Sequence, residues 1–132
     1  MKLVTFEIRT PLGLFYRVGA LRGPHVVDLN MAYARWLSDH GEAQPRRLSD
    51  AQVPASMLPF LEGGASTMAA ARRALDHTAS AGSSVTGPNG ETIVHPRDAV
   101  KLVAPIPEPP SLRDFIAFED HVAATSKRRG QP

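Results

Sequence analysis

The stretch SLRDFIAFEDHV, residues 111–122, places an acid and an imidazole seven positions apart, Asp114 and His121. On a helix begun at Ser111, residues seven apart return to nearly the same face, about 10 Å apart along the axis. Phe115, Phe118 and Val122 would form the adjoining apolar stripe, so the two polar groups fall along its edge. A carboxylate there could bind a hard divalent cation. A histidine there could take a proton from water near neutral pH. The same residues carry a plainer reading. Ser111-Leu112-Arg113-Asp114 fits a capping box, with the acid at the third helical position bonding back to the cap. Spacing alone leaves both readings open, because one acid and one histidine do not make a metal site.

The remaining histidines carry weaker signals. His25 follows a turn and His95 precedes a proline, so both are expected on the surface. His40 and His77 fall near helix C-termini, where partial positive charge is favourable. His77 follows Asp76 directly, but adjacent helical residues do not face each other. No G-x-S-x-G elbow, P-loop or H-E-x-x-H is present. Gly63-Gly64 has no strand before it and makes no phosphate cradle. Trp36 is expected in the core.

The elements that must position Asp114 and His121 begin with strands. Val4, Phe6 and Ile8 alternate with polar residues, and LFYRVGAL and HVVDL follow across turns. Leu29, Tyr33, Trp36, Leu37 and His40 recur at helical spacing, with Asp28 or Asn30 as cap and Gly41 at the end. GEAQPRRLSDAQ reads as a polar loop, and PASMLPFLEGG as one short helical turn. STMAAARRALDHTASAG reads as a second helix with Met68, Ala71 and Leu75 buried. Pro88-Asn89-Gly90 marks a tight turn with positive φ expected at both Asn89 and Gly90. ETIVHP and AVKLVAP read as short strands. Pro105, Pro107, Pro109 and Pro110 cannot lie inside a helix or a central strand, so they form an extended connector.

Composition narrows the function classes. At 132 residues and 42% hydrophobic content, the chain supports one modest core. Lys127, Arg128 and Arg129 supply +3 of a net charge of +2, which leaves the rest of the chain at −1. A broad nucleic-acid surface is therefore not expected. The absence of cysteine excludes a disulfide scaffold, a thiolate metal site and a cysteine nucleophile. No leader-like or membrane-spanning apolar run is present, and a cytoplasmic location is expected.

Three pieces of the sequence together resemble the fumarylacetoacetate hydrolase family. The opening, MKLVTFEIR and FYRVGALRGPHVVDLNMAYA, is similar to the N-terminal domain of bacterial members. VKLVAPIPEPPSLRDF is similar to the segment joining that domain to the catalytic one. DFIAFEDHV resembles the first active-site segment. The resemblance implies a divalent cation, Mg²⁺ or else Mn²⁺ or Ca²⁺, and a diketo or oxo-acid substrate cleaved at a carbon–carbon bond. It implies Asp114 as a metal ligand and His121 as the base that activates water, with Arg128 and Arg129 toward a substrate carboxylate. Ala124 stands where many smaller members carry a glutamate, which favours the aspartate-containing pattern. Ile116 stands where the hydrolase proper often has a tyrosine.

The expectation is an α+β N-terminal domain over residues 1–105, a small antiparallel sheet with two or three packed helices. Residues 106–132 form a Pro-rich connector and a C-terminal helix at the start of a truncated catalytic domain. The β-rich catalytic domain, with the other metal ligands, is expected beyond Pro132. The isolated chain would be inactive, the full-length enzyme a homodimer, and neither nucleic acid nor membrane a partner. The alternative is a stand-alone interaction or regulatory module, with Ser111–Asp114 only a helix cap.

Overall fold

The computed structural model describes residues 1–82, 84–113 and 118–130. Three strands open the chain: β1 (Lys2–Thr10), β2 (Gly13–Arg22) and β3 (His25–Asp28). Helices α1 (Leu29–Asp39), α2 (Pro45–Gln52), α3 (Met57–Glu62) and α4 (Gly64–Ala81) follow. Strands β4 (Val94–Pro96) and β5 (Lys101–Val103) flank a 3-10 turn at Arg97–Ala99, and α5 (Glu119–Arg128) comes last. The sheet is antiparallel with order β4-β3-β2-β1-β5. The class is α+β as expected, but among the described residues four α-helices precede the connector where two or three were expected, and α5 follows it.

The additional helix is α2, where the sequence reads as a polar loop. Its apolar content is too low to announce itself by periodicity. Pro45 suits its first turn, because a missing N–H costs nothing there. Polar bonds hold it in place. The Ser49 hydroxyl donates to Asn30 O at 2.6 Å, and Asn30 Nδ2 donates to Asp50 Oδ1 and Val53 O, each at 2.9 Å. The Tyr33 hydroxyl donates to Gln52 Oε1.

Helices α1 to α4 share one face of the sheet. Val18, Ala20, Val27 and Val94 meet Leu29, Tyr33, Leu37, Val53, Met57 and Phe60 in a single core. In α4 the buried stripe is Thr67, Ala70, Ala71, Ala74 and Thr78, rotated from the expected one. Met68 and Leu75 pack only at its margin. Three alanines let α4 lie close to α1. The turn at residues 87–90 also differs in detail. Gly90 has φ +87°, but no non-glycine residue has positive φ among the described residues, so Asn89 does not. Gly90 N–H bonds Gly87 O, and Gly87 N–H bonds Glu91 O, which lets one glycine close the hairpin.

The connection between β4 and β5 forces the sheet to curl. These strands lie on opposite edges, which a flat sheet holds about 19 Å apart. They are also offset along the strands. Pro96 pairs with His25 and His25 with Arg22, near the start of β1, whereas Lys101 pairs with Glu7. Pro96 to Lys101 reaches at most about 18 Å when fully extended, and the 3-10 turn shortens it. Only a strongly twisted, tilted sheet brings the edges within reach.

The curl encloses a second, smaller core. Phe6 and Val26 are fully buried but face away from the helices. Gly19 makes the room. A Cβ there would lie 2.6 Å from Val26 Cγ1 and 3.0 Å from the Phe6 ring. The ring lies over the glycine and substitutes for the side chain that cannot fit. Gly19→Ala should therefore destabilise the protein by about 1–3 kcal/mol through overpacking. Urea unfolding checks this, and adding Val26→Ala should recover part of the loss. A neutral Gly19→Ala would show that the curl is loosely packed.

Candidate functional site

The sequence points to the C-terminal helix. The extended connector is tied to the sheet by the Thr5 hydroxyl, which donates to Pro105 O at 2.6 Å, and Ile106 packs on the core. Residues 111–113 are irregular, and α5 begins at Glu119 with Phe118 as N-cap. This corrects the helix expected from Ser111. Phe118 has φ −121° and ψ 130°, extended values that no helix running through residues 114–121 can contain. Ser111, Leu112 and Arg113 are not helical, and Asp114, the last member of the expected capping box and of the expected shared face with His121, lies outside the described residues. The physical reason lies in the sequence: Pro107, Pro109 and Pro110 favour extended backbone just upstream.

Asp114 lies outside the described residues. His121 lies in the first turn of α5, and its side chain lies outside them too. Arg128 is the last residue of α5, seven positions after His121, and Arg129 is its C-cap. Both arginines are exposed. Glu119 and Asp120 open the helix, and Lys127 and Arg128 end it, an arrangement that complements the helix dipole. Leu112 is 91% exposed and Phe118 77%. Among the described residues, α5 packs extensively against no other element. No group of three or more His, Cys, Asp or Glu that could hold a metal ion occurs among them. No described helix is long and apolar enough to cross a membrane.

A different polar centre is assembled at the open end of the curl. Arg17 reaches across from β2 to Asp28, at the end of β3. Its Nε donates to Asp28 Oδ2, and its Nη2 donates to Asp28 Oδ1 at 3.1 Å and to Asn30 Oδ1 at 2.9 Å. Asp28 is almost completely buried, and its carboxylate also accepts the Met31 N–H at 3.0 Å as the N-cap of α1. A cavity of about 390 Å³ opens beside this pair, lined by Ile8, Phe15, Met31, Glu91 and His95 among others. That volume suits a small ligand. Both Asp28 oxygens are taken by Arg17 and the Met31 N–H, however, and so serve the architecture. Glu91 is engaged by Asn89 through both its N–H and its side-chain amide. Burial raises its pKa, but these bonds outweigh that and hold it below its usual value.

His95 departs from the surface position expected of it. Its ring packs 5.3 Å from Phe6, and its Nε2 is buried with no hydrogen-bond partner among the described residues. Burial pushes its pKa below the usual 6.5, helped by Arg17, while Asp28 and a bond to the Thr92 backbone oppose the shift. The register carried the missed signal. His95 pairs with Val26, a residue of the enclosed face. His77 differs in another way. Its Nε2 bonds Asp39 Oδ2 at 2.8 Å and clamps α4 to α1. The Arg35 hydrogen bond, opposed by partial burial and aided by His77, holds the Asp39 carboxyl below its usual pKa.

Two predictions follow from the polar centre. Asp28→Ala uncaps α1 and strands the Arg17 guanidinium, so it should cost at least about 3 kcal/mol by chemical unfolding. Asp28→Asn keeps a capping oxygen and should cost less. Equal losses would mean that the capping oxygen contributes nothing and the charge carries the whole effect. For His95, the folded pKa is depressed, so the unfolded chain binds the proton more readily below pH 6.5. Its contribution to stability should be present above pH 6.5 and decline as the pH falls toward the folded value. Subtracting the unfolding free energies of His95→Gln from those of the parent, between pH 7.5 and 5, isolates this slope. A flat difference would sink the assignment. Comparison with known proteins finds no matching family model, no matching curated protein and no matching solved structure.

Proposed function

We propose that this chain is the N-terminal portion of a metal-dependent hydrolase of the fumarylacetoacetate hydrolase type, which cleaves a carbon–carbon bond in a diketo or oxo acid. One observation carries the reading. VKLVAPIPEPPSLRDFIAFEDHV joins a strand, a proline connector and an Asp–His pair in the order that such an enzyme uses to enter its active site. The placement of β5, the connector and α5 is compatible with that order.

In this reading residues 1–105 form a supporting domain and residues 106–132 the entry to the catalytic part. Asp114 would supply one oxygen ligand to Mg²⁺, Mn²⁺ or Ca²⁺. Such cations take about six oxygen ligands. Among the described residues no group of three or more His, Cys, Asp or Glu could hold such a cation, so they do not fit a closed metal site by themselves. His121 acts as general base and takes the proton from the water that attacks the substrate carbonyl. Arg128 or Arg129 faces the substrate carboxylate, which a guanidinium can grip with two N–H bonds. The full-length enzyme would be a cytoplasmic homodimer acting on a small molecule.

A non-enzymatic interaction module is the second reading, and the exposure of Leu112 and Phe118 beside an unpacked helix favours it. Activity separates the two. The product of the complete gene, supplied with Mg²⁺ or Mn²⁺, should hydrolyse acylpyruvates. Asp114→Ala and His121→Ala should each lower that rate by at least about 100-fold. The 132-residue chain alone should be inactive. Asp114→Ala should leave its unfolding midpoint unchanged, since α5 begins at Glu119. A complete product inert toward every oxo acid tried would favour the module, and an active Asp114→Ala enzyme would remove Asp114 from the site.

A further inference from the structure

A second cavity, of about 610 Å³, opens between three helices, with Tyr33 and Leu37 of α1, Leu48 and Gln52 of α2, and Thr67 and Arg73 of α4 among its walls. Its volume suits a small organic molecule. Leu37, Leu48, Ala51 and Ala70 make part of the wall apolar, and no acid lines it.

The unspent polar groups of this cleft are donors. Gln52 Oε1 accepts from the Tyr33 hydroxyl, which leaves the Gln52 amide N–H groups without a partner among the described residues. Thr67 is only 4% exposed, yet its hydroxyl bonds no group among them. The Thr78 hydroxyl, farther along α4, donates to Ala74 O at 2.7 Å. A buried hydroxyl left unpaired is costly, so Thr67 calls for an explanation. Gly63 supplies part of it. Its backbone, φ −67° and ψ −10°, is ordinary right-handed helix and does not require glycine. A Cβ there would overlap the Thr67 hydroxyl. The absent side chain keeps open the space in front of that hydroxyl.

Charge favours an anion in the same place. Helix α4 begins with no side-chain capping bond and no acid in its first turn. Its first N–H groups lack intrahelical partners and carry the positive end of the helix dipole. Arg73 is the one cation on the cleft wall. It lies over the Trp36 ring, 5.8 Å from its centre, and makes no ion pair among the described residues. Ser66 and Arg73 are seven apart and share a face of α4. Helical side chains lean toward the N-terminus, which directs Arg73 along the cleft toward Ser66.

We propose that this cleft binds a small monocarboxylate with an apolar body. The carboxylate meets the α4 N-terminus and the Thr67 hydroxyl, with Arg73 as counter-charge, and the body lies along Leu48, Ala51 and Ala70. Charge balance selects the carboxylate. One guanidinium and about half a charge at the helix end match a single negative charge, whereas a phosphate monoester carries nearly two at pH 7. This inference does not depend on the proposed enzymatic role, since every residue it uses lies between Tyr33 and Arg73.

Octanoate serves as the probe. Added to the isotope-labelled 132-residue chain, it should shift the backbone amides of Gly64, Ala65 and Ser66 and the side-chain amide of Gln52, with a dissociation constant of about 0.1–5 mM. Octanamide, of the same size but uncharged, should bind at least about tenfold more weakly. Arg73→Gln should weaken octanoate about tenfold and leave octanamide unchanged, which a merely structural arginine would not do. Thr67→Val should weaken octanoate about 3–10-fold without lowering the unfolding midpoint, because no protein bond is lost. Octyl phosphate should bind no more tightly than octanoate. The proposal is overturned by an absence of shifts at these amides up to about 20 mM octanoate, by equal affinity for octanamide, or by parent-like octanoate binding in Arg73→Gln. Tighter binding of octyl phosphate overturns the choice of a monocarboxylate, and shifts confined to Lys127–Arg129 overturn the choice of site. Should Arg73→Gln misfold, the ratio of octanoate to octanamide affinity in the parent chain decides alone.

Discussion

The Asp28 carboxylate stands where the sheet hands over to the helices, and most of the architecture is referred to it. One side chain closes the N-terminus of α1 through Met31 N–H and neutralises Arg17 from the neighbouring strand. Its own backbone N–H bonds Ile93 O, which fixes the chain entering β4. Arg17 passes the network to Asn30, and Asn30 passes it to Asp50 and Val53 at the end of α2. Four segments distant in sequence are thus aligned by one buried acid. Buried ion pairs add little net stability, because desolvation offsets attraction. What this one contributes is position. Any shift of β3 relative to α1 would leave a buried charge without its partner.

The second constraint is geometric. A short link between opposite edges forces the sheet to curl, and the curl needs an interior. Gly19 supplies the space and Phe6 fills it. The same curl gives the sheet two buried faces, one under the helices and one within itself. His95 is therefore drawn inward although it lies on a three-residue edge strand beside a proline.

Alternation and helical periodicity made β1, β2, β3, α1, α3 and α4 legible in the sequence, because each buries a regular apolar set. Pro45 to Gln52 was not legible, since α2 is held by hydrogen bonds with Asn30 and Tyr33 that no local pattern announces. The Asn89-Gly90 pair signalled a turn correctly but not its conformation, because either of two turn types accepts those residues. The rotation of the α4 stripe toward Ala70 and Ala74 reflects where α1 lies, which is tertiary information. At the candidate site, the residue types around Asp114 and His121 were legible but their geometry was not. Helical spacing was assumed from Ser111, and the extended backbone at Phe118 interrupts it. The Arg17–Asp28 centre was invisible for another reason, since its members meet only through strand register.

A consequence for α5 follows from these same energetics. An isolated helix of ten residues is marginal in water, because nucleation costs more than a few turns return. Phe118 makes no side-chain capping bond. The charges at the two ends favour the helix by about 0.3–1 kcal/mol each, and only at low ionic strength. That support is local and independent of the rest of the fold. Burying Phe118 against a covering surface would add about 1.5–3 kcal/mol, more than any one of those charges provides. The order of the segment that carries the Asp–His pair is therefore set less by the domain before it than by whatever comes to cover its apolar side.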